Sequence, residues 1–443
     1  MERFTCDWIF KILVVLSDGK VVCGCADPYG ERPLGHLGEN AICEIWNSER
    51  VQEIRKGLNS GYSPFCLPCG LKRRLAAGER ITAQPVFQPV LPRIFLEPTV
   101  VCNLSCFEAV CSRGSPLLRS RERKYFPVDE FRALIDQVGA GLIRLDFFNY
   151  GEPFAHPQAV EMLEYVKARF PSIYLYVSTN GLLLGSDAIA RLARAAVDEI
   201  TFSVDGADQR TYARYRCGGK LARALAVMRD LVRERNRLQR EVPFINWRCI
   251  LFNWNDSDWQ MGKIRRLARR IGVDRLVWEI TDHPAAGRSE KYQIGTPSWQ
   301  EIFHEIWDTS QISNALSEKR FRAEIVPQAE RVTMTASGGG TLAVRVRNRG
   351  GVSWPACTFS GRRHVRLGAQ LFGRQRRLLE LNYSRSALPH SLAAGAETIL
   401  ELRLPPLPKV GEYWLKLDMS CEGINWFEAD ASPIVWIPLQ VVP

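Results

Sequence analysis

Three cysteines within a ten-residue segment are the strongest chemical feature of this sequence. They are Cys102, Cys106 and Cys111, and they follow a short apolar stretch that is typical of a β-strand. Three thiolates on one strand-end loop can bind three irons of a cubane [4Fe–4S] cluster, which leaves the fourth iron open for another ligand. A zinc ion would need a further protein ligand close by, and none is evident here. The loop therefore predicts an iron–sulfur cluster.

A second group of cysteines precedes this loop. The chain has 13 cysteines, and nine of them lie before residue 112. In a reducing compartment such clustering usually indicates metal ligands rather than disulfides. The candidate ligands of one further site are Cys6, Cys23, Cys66 and Cys69. The last two form a Cys-x-x-Cys pair, whose short loop directs both sulfurs to one metal or cluster. Cys25 and Cys43 are spare candidates, and Cys25 could replace Cys23.

The elements that position the three-cysteine loop alternate between strand and helix. The predicted strands are Arg93–Glu97, Ile143–Phe148, Ile173–Ser178, Ile200–Val204, Asn246–Phe252 and Leu276–Ile280. The predicted helices are Val128–Val138, Gln158–Phe170, Asp187–Ala196, Leu221–Leu238 and Asp256–Ile271. Strand followed by helix, repeated about six times, predicts an α/β fold whose parallel sheet curves into a partial (β/α)6 TIM-type barrel. Chemistry in such barrels takes place at the carboxyl ends of the strands.

The two ends of the chain differ from this central pattern. The N-terminal part is rich in cysteine and turns, which predicts a small α+β module, and Trp8–Leu16 is expected to be a strand that ends in a turn. The proline-rich segment 83–92 is expected to be an extended linker. After about residue 325, alternating stretches such as Leu342–Asn348, Thr398–Leu404 and Tyr413–Met419 predict an all-β sandwich.

Four short motifs stand at or near the predicted strand ends. They are Asn149-Tyr150-Gly151-Glu152-Pro153, Ser178-Thr179-Asn180-Gly181, Ser203-Val204-Asp205-Gly206 and Tyr215-Arg216-Cys217-Gly218-Gly219. Together with the Cys-Asn-Leu-x-Cys opening of the cysteine loop, this order resembles the radical S-adenosylmethionine (SAM) superfamily from about Leu96 to Ile280. Two departures are visible. Four residues rather than the usual two separate Cys106 from Cys111, and Tyr150 replaces the first glycine of the family's Gly-Gly-Glu-Pro motif.

The resemblance implies a cofactor and its contacts. Cys102, Cys106 and Cys111 would hold the catalytic [4Fe–4S] cluster, and SAM would chelate its open iron. The residues expected to contact the cofactor are Phe107, Gly151, Glu152, Ser178, Asn180, Ser203, Asp205 and Arg216. Within this set, Gly151 would let the backbone approach the methionine moiety, Glu152 would pair with its amino group, and Arg216 would bind a carboxylate.

The N-terminal module has a resemblance of its own. The segments Ser17–Cys23, Gly35–Gly38 and Glu44–Asn47 resemble SPASM or twitch modules, which hold auxiliary iron–sulfur clusters; in many members of the superfamily that module follows the barrel. The resemblance implies an auxiliary cluster on Cys6, Cys23, Cys66 and Cys69, and a structural zinc site is the alternative. The expected domains are 1–75 SPASM-like, 76–92 linker, 93–325 radical SAM partial barrel and 326–443 Ig-like β-sandwich.

Composition narrows the functional classes. The chain has 443 residues, 46% hydrophobic and 24% charged, with a net charge of +11, which is the balance of a globular protein. No apolar run is long enough to span a bilayer, and the N-terminal stretch does not resemble a secretory signal, so a cytoplasmic location is expected. The positive charge is compatible with an anionic partner, but no nucleic-acid-binding pattern accompanies it, so nucleic acid is not the expected partner.

These inferences predict a radical SAM enzyme that reductively cleaves SAM to a 5′-deoxyadenosyl radical and abstracts hydrogen from its substrate. An electron donor such as flavodoxin or ferredoxin is implied. The substrate is expected to be carbohydrate-linked or a peptide, with a slight preference for the former because Ig-like domains accompany polysaccharide enzymes and because Trp354 and Trp426 could stack on sugars. The alternatives are a catalytically degenerate, metal-stabilised scaffold or glycan-binding protein, and a radical SAM enzyme that modifies nucleic acid.

Overall fold

The computed structural model describes residues 2–110, 114–240, 242–302, 305–306, 322–350, 353–356, 364–422, 425–430 and 432–443. The chain divides into two compact units, one formed by Met1–Ile271 with Val277–Trp299 and the other by Gly272–Leu276 with Gln300–Pro443. In the described part of the chain, no helix combines the length and the apolar character needed to cross a membrane.

The N-terminal part of the first unit is a small α+β module. Its elements are β1 (Phe4–Thr5), α1 (Trp8–Lys11), β2 (Ile12–Val15), β3 (Lys20–Val22), β4 (Gly35–His36), α2 (Ile42–Trp46), α3 (Glu49–Asn59) and β5 (Arg73–Arg74). The expectation of a strand from Trp8 is wrong for its first turn, which is helical; the strand begins only at Ile12. The segment 83–92 contains no helix or strand, and α2 and α3 hold it through hydrogen bonds such as Trp46 Nε1 to Val90 O at 3.1 Å.

The remainder of this unit alternates strand and helix. The elements are β6 (Arg93–Leu96), α4 (Val128–Val138), β7 (Arg144–Phe147), α5 (Ala159–Arg169), β8 (Tyr174–Thr179), α6 (Ser186–Ala195), β9 (Glu199–Ser203), α7 (Gln209–Tyr215), α8 (Leu221–Arg237), β10 (Phe244–Leu251), α9 (Asp258–Ile271), β11 (Arg275–Ile280) and α10 (Pro297–Ile302). The predicted α/β pattern is therefore present, with shifts of one or two residues at most ends.

One sheet joins the module to the barrel. Within the described residues its nine strands are ordered β11-β10-β9-β8-β7-β6-β2-β3-β4. Strand β2 runs parallel to β6, with Ile12 opposite Arg93, and β3 and β4 continue the sheet as antiparallel strands. All four residues of β2 are buried, which is typical of a strand covered on both faces. The N-terminal module is therefore an extension of the barrel sheet.

The second unit contains an all-β region. Its strands are β12 (Ala323–Pro327), β13 (Val332–Thr335), β14 (Gly340–Asn348), β15 (Val365–Phe372), β16 (Leu378–Ala387), β17 (Glu397–Leu404), β18 (Gly411–Cys421), β19 (Asn425–Trp426) and β20 (Val435–Val442). One sheet has the order β12-β14-β17, the other β13-β20-β18-β15-β16, and β19 pairs with β18. A single hydrophobic core contains side chains from both sheets. Trp354 belongs to this core, fully buried with its ring 5.1 Å from that of Phe427, so it cannot stack on a sugar.

Candidate functional site

The cysteine loop lies at the carboxyl end of β6 and is hydrogen-bonded to the end of α7 and the residues that follow it. The backbone N–H of Ser105 donates to Cys217 O at 3.1 Å, and that of Phe107 donates to Tyr215 O at 2.9 Å. Cys106 is buried, and Cys102 is partly buried. The third predicted ligand, Cys111, lies outside the described residues. The structure therefore positions two of the three predicted thiols at the mouth of the barrel.

The loop turns sharply after Cys106. The N–H of Ala109 donates to Cys106 O at 3.2 Å, and Glu108 has the left-handed φ of 53°. His283 Nε2 donates to Glu108 O at 2.6 Å from the segment that follows β11. The widened spacing before Cys111 thus begins with a tight turn that a second segment holds in place.

Arg216 links Cys106 to the barrel strands. Its Nη1 lies 3.8 Å from Cys106 Sγ, and its Nε lies 2.5 Å from Asp205 Oδ2. The other carboxylate oxygen of Asp205, which is fully buried, accepts from Ile250 N at 2.7 Å. Burial by itself would lower the pKa of Arg216, but the negative charges of Asp205 and Cys106 raise it well above its usual range. A permanent cation therefore stands beside the thiol of Cys106, where it stabilises the thiolate. Asp205 is thus the ion-pair partner of Arg216.

Glu152 accepts hydrogen bonds from residues at the end of strand β8. Its Oε1 accepts from Thr179 Oγ1 at 2.6 Å, and its Oε2 accepts from Asn180 N at 2.8 Å. The side chain is buried, and this burial raises the pKa of the carboxyl group although its hydrogen bonds oppose the shift. Both carboxylate oxygens thus already have donors from the chain itself. A carboxylate oxygen can accept more than one hydrogen bond, so the expected contact of Glu152 with an amino group of the cofactor stays a prediction.

Gly151 allows its backbone to lie close to the backbone of the segment before Cys102. Its φ is +82°, and a Cβ built on it would lie 2.3 Å from Thr99 O and 2.9 Å from Val101 O. The N–H of Glu152 donates to Val101 O at 2.8 Å. The space that a side chain would occupy is therefore filled by the segment leading into Cys102.

The remaining predicted contacts lie at neighbouring strand ends. Ser178 Oγ and Ser203 Oγ are 3.5 Å apart, and Asn180 Nδ2 donates to Asn103 Oδ1 in the cysteine loop at 2.9 Å. These three predicted residues retain little exposed surface, whereas Phe107 is 38% exposed. The structure thus brings every described residue of the predicted set to one end of the barrel.

The second set of cysteines surrounds one cavity. Its lining includes all four predicted ligands, Cys6, Cys23, Cys66 and Cys69. Burial, followed by the charges of Cys66 and Cys69, raises the pKa of Cys6 to about 12. Burial and the other three thiols likewise raise the pKa of Cys23. Four thiolates this close repel one another until a cation joins them, so the donor set fits an iron–sulfur cluster.

The two spare cysteines are placed differently. Cys43 is exposed, and neither Cys25 nor Cys43 lines the cavity. Among the described residues, no three Cys, His, Asp or Glu side chains are arranged about a single metal ion.

The two cysteine sites are physically connected. Tyr150, at the position of the replaced glycine, donates its hydroxyl proton to Cys25 O. Trp8, which lines the four-cysteine cavity, packs 5.7 Å from Phe95 of β6, and Phe95 packs 5.5 Å from Phe148. Aromatic side chains therefore run from the wall of the cavity into the barrel.

Several residues of the site were not predicted. Thr179 and Asn103 stand inside quoted motifs, so their sequence signal was present. Arg121 forms a fully buried ion pair with Glu97 at 2.7 Å. In the sequence it is one of four basic residues between positions 119 and 124, so nothing distinguished it from its neighbours. Arg248, which donates to Ser203 Oγ at 2.8 Å, is a single charged residue within an apolar strand, and that contrast was its only signal.

Two family models match the ranges that contain the two cysteine sites. Residues 96–239 match the radical SAM superfamily, and residues 6–70 match SPASM, the iron–sulfur cluster-binding domain. The first range contains the three-cysteine loop and the second contains the four-cysteine cavity. These domains imply a [4Fe–4S] cluster with SAM, and auxiliary iron–sulfur clusters.

Individual relatives agree with these families. An AdoMet-dependent heme synthase of Methanosarcina barkeri is 30% identical over 137 residues, 30% of this chain and 38% of that protein. A mycofactocin maturase of Mycobacterium ulcerans is 26% identical over 135 residues, covering 30% and 35%. A tungsten-containing aldehyde ferredoxin oxidoreductase cofactor-modifying protein of Pyrococcus furiosus is 27% identical over 189 residues, covering 42% and 50%. The chain thus spans half or less of the length of these relatives. In the matched ranges, the chain resembles a radical SAM domain with a preceding SPASM domain.

Proposed function

We propose that this chain binds SAM at a [4Fe–4S] cluster on Cys102, Cys106 and Cys111 and abstracts a hydrogen atom from a substrate held in the barrel. When bound, the cluster and SAM supply a 5′-deoxyadenosyl radical, formed by one-electron cleavage of the sulfonium. The task of the chain is to hold the substrate C–H bond close to that radical and to exclude water.

The observation that carries the proposal is the setting of Cys106. A buried thiol stands at the carboxyl end of a parallel strand, 3.8 Å from an arginine that is itself anchored on a buried aspartate. An adjacent cation stabilises a thiolate, and the thiolate is the form that binds iron. Arg216 therefore supports metal binding at Cys106 through charge, in addition to any contact with the cofactor.

The SAM contacts that we propose are neutral groups at the strand ends. Glu152 is satisfied by Thr179 and Asn180, and Asp205 is paired with Arg216. We therefore assign cofactor binding to the hydroxyl and amide groups of Ser178, Asn180 and Ser203, to the ring of Phe107, and to the backbone beside Gly151. In this arrangement Glu152 and Asp205 position the loops that bind SAM.

We place an auxiliary cluster in the four-cysteine cavity. Cys6, Cys23, Cys66 and Cys69 supply a complete thiolate set without Cys25 or Cys43. Its role is to exchange an electron with the substrate radical or to bind the substrate. A small acidic electron carrier such as flavodoxin or ferredoxin complements the net charge of +11 and would supply the reducing electron in a cytoplasmic setting.

The substrate class we favour is a peptide, with a carbohydrate-linked substrate second. Similarity to a maturase supports a peptide. The sugar-stacking argument weakens, because Trp354 is buried in the core of the β-region. Trp426 is partly buried, with the Arg385 guanidinium 4.0 Å from the centre of its ring. We keep the Ig-like description of residues 326–443 as part of this proposal, without a ligand.

Anaerobic reconstitution tests the proposal. Iron and sulfide are counted per chain, and 5′-deoxyadenosine is then measured after addition of SAM and dithionite. We expect about eight irons per chain, as two cubanes require. Replacing Cys102, Cys106 and Cys111 by alanine should leave about four irons and no 5′-deoxyadenosine. The variant C66S/C69S should also keep about four irons, with the SAM-dependent reaction retained at least in part.

The control is Cys43→Ser, which removes an exposed thiol of the same module and should leave the iron content unchanged. Zinc in place of iron in the four-cysteine cavity would contradict the auxiliary cluster. Clusters that never release 5′-deoxyadenosine would contradict the enzyme and favour the scaffold or glycan-binding alternative.

A further inference from the structure

The interior of the barrel is unusually polar near the amino ends of its strands. Arg93 lies 2.6 Å from Asp146, and Arg144 lies 2.7 Å from the same carboxylate. Glu199 accepts from Tyr174 and Asn246. None of these charged residues is more than 7% exposed, so this level forms a closed floor of the barrel. Among the described residues Arg93 Nη1 has no hydrogen-bond partner, but its burial keeps it away from a ligand.

The level above this floor is accessible. Arg248 of β10 and Glu279 of β11 form an ion pair with 3.2 Å between Nε and Oε2, and their side chains remain 19% and 24% exposed. The paired atoms Nε and Oε2 are the buried ones. Arg248 Nη2 donates to Ser203 Oγ at 2.8 Å. Within the described ranges, Nη1 of Arg248 and Oε1 of Glu279 take part in no hydrogen bond, so each partner of the pair keeps one group for a ligand: a donor on Arg248 and an acceptor on Glu279.

This pair lies next to the cofactor end of the barrel. Asp205, which anchors Arg216 beside Cys106, accepts from Ile250 N, two residues beyond Arg248 on the same strand. Burial lowers the pKa of Arg248 and Glu279 raises it, and the charges of Arg216 and Asp205 act on it as well. Arg248 is therefore within electrostatic range of the residues that hold Cys106, and the net result is a raised pKa.

We propose that Arg248 and Glu279 form a substrate subsite that binds a neutral primary carboxamide, the side chain of Asn or Gln in a peptide. This inference rests on the proposed function and specifies its substrate class. It adds two specificity-determining residues to the predicted site.

The chemistry of the pair selects the ligand. Because the two charges compensate each other, an added carboxylate would be repelled by Glu279 and an added ammonium group by Arg248. One edge of a primary carboxamide presents a carbonyl acceptor beside an N–H donor, which matches a guanidinium next to a carboxylate. A sugar hydroxyl presents donor and acceptor on a single oxygen and matches the two groups less well.

The test uses the reconstituted protein with SAM and three blocked amino acids as probes. These are N-acetyl-glutamine N-methylamide and its glutamate and methionine analogues, with affinity read from NMR line broadening of each probe. We expect the wild type to bind the glutamine probe about tenfold more tightly than either analogue, because each analogue leaves a charged partner without its hydrogen bond. The variant E279Q removes the compensating negative charge and should reverse the preference, so that the glutamate probe binds best.

The matched control is E234Q, which neutralises the glutamate of the exposed Arg237–Glu234 pair on α8 and should leave the probe preference unchanged. A wild type that prefers the glutamate probe, or an E279Q variant that keeps the wild-type preference, would overturn the proposal. A change in SAM affinity without a change in probe preference would assign the pair to the cofactor and overturn it as well. Absence of 5′-deoxyadenosine from the wild type is a separate failure, of the proposed function itself.

Discussion

Several residues at the mouth of the barrel make their contacts and hydrogen bonds with other parts of the chain rather than with solvent. Gly151 gives room to the backbone before Cys102, and Glu152 and Asp205 each receive their hydrogen bonds from the chain. Buried polar groups with complete partners fix one arrangement of the loops that carry them. We therefore expect substitutions at these positions to affect folding and cofactor loading together.

Gly151→Ala should be strongly destabilising. The substitution places a Cβ 2.3 Å from Thr99 O at a φ of +82°. Gly218→Ala is the matched control, since Gly218 has a φ of +87° but nothing within 4 Å of its Cβ position. The control should lower the free energy of unfolding by about 1 kcal/mol. Gly151→Ala should cost at least about 3 kcal/mol, because overpacking adds to the backbone strain. Equal losses in the two variants would show that the contact with Thr99 relaxes without cost.

Arg216→Gln removes the cation between Asp205 and Cys106. Because Asp205 is fully buried, losing its partner should lower the free energy of unfolding by about 3 to 5 kcal/mol. The thiolate of Cys106 should also lose the stabilisation that the adjacent cation provides, which is measured as slower alkylation of the cluster-free protein. The control is Arg210→Gln, an exposed position on α7, where both quantities should stay at the wild-type level. An unchanged alkylation rate in the Arg216 variant would contradict the electrostatic role.

At the scale of elements, strand β2 joins the two cysteine sites. It is a short apolar run that pairs in parallel with β6 and antiparallel with β3. Cys23 directly follows β3, and Cys102 stands in the loop after β6. The two ligand sets are therefore attached to strands on either side of one buried element.

Strand β18 of the all-β region carries a pH-dependent contribution to stability. Asp418 is fully buried, and burial raises its pKa from 3.8 to about 7. The unfolded chain loses this proton at a lower pH than the folded chain, so stability is highest below about pH 4 and falls as the pH rises to about 7. We expect the melting temperature of this region to fall between pH 5 and 7 in the wild type and to stay nearly level in Asp418→Asn.

The control for this prediction is Glu412→Gln, a mostly exposed carboxylate on the same strand, which should keep the wild-type slope. A slope that survives in Asp418→Asn would show that another group carries the pH dependence.

At the scale of the whole first unit, a buried ion pair links the N-terminal module to the barrel. Arg121 and Glu97 form an ion pair in which neither side chain is exposed. Arg121 Nη2 also donates to Pro28 O at 2.8 Å, and Ser17 N donates to Glu97 Oε1 at 3.1 Å. One buried pair thus connects the end of β6 to two turns of the N-terminal module.

Arg121→Met should weaken this connection. Glu97 would remain buried without its cation, at a cost of about 3 to 5 kcal/mol. Hydrogen exchange in residues 17–28 should become faster, since the variant removes the contact with Pro28. Arg132→Gln serves as the control: its pair with Glu161 is 40% exposed on both sides and should contribute less than about 1 kcal/mol. Unchanged exchange in the Arg121 variant would mean that β2 alone holds the module.

The sequence by itself determined the features that depend on neighbouring residues. The period of apolar side chains placed helix α4 at Val128–Val138 without error and the barrel strands within two residues. Residue type and spacing selected both cysteine sets and the order of the strand-end motifs, because thiolate chemistry and turn chemistry are local properties.

Only the tertiary structure decided which distant groups meet. Arg216 and Cys106 are 110 positions apart, and Arg248 and Glu279 stand on different strands. Alternation along a strand tells which side chains share a face, but the order and register of strands decide what they touch. For that reason the sequence indicated Glu152 and Asp205 by type and position, whereas only the folded sheet shows their partners within the chain, Thr179 and Asn180 for the first and Arg216 for the second. Burial excludes water, so each buried charged group needs a partner within the chain. Which residue becomes that partner depends on the assembled barrel.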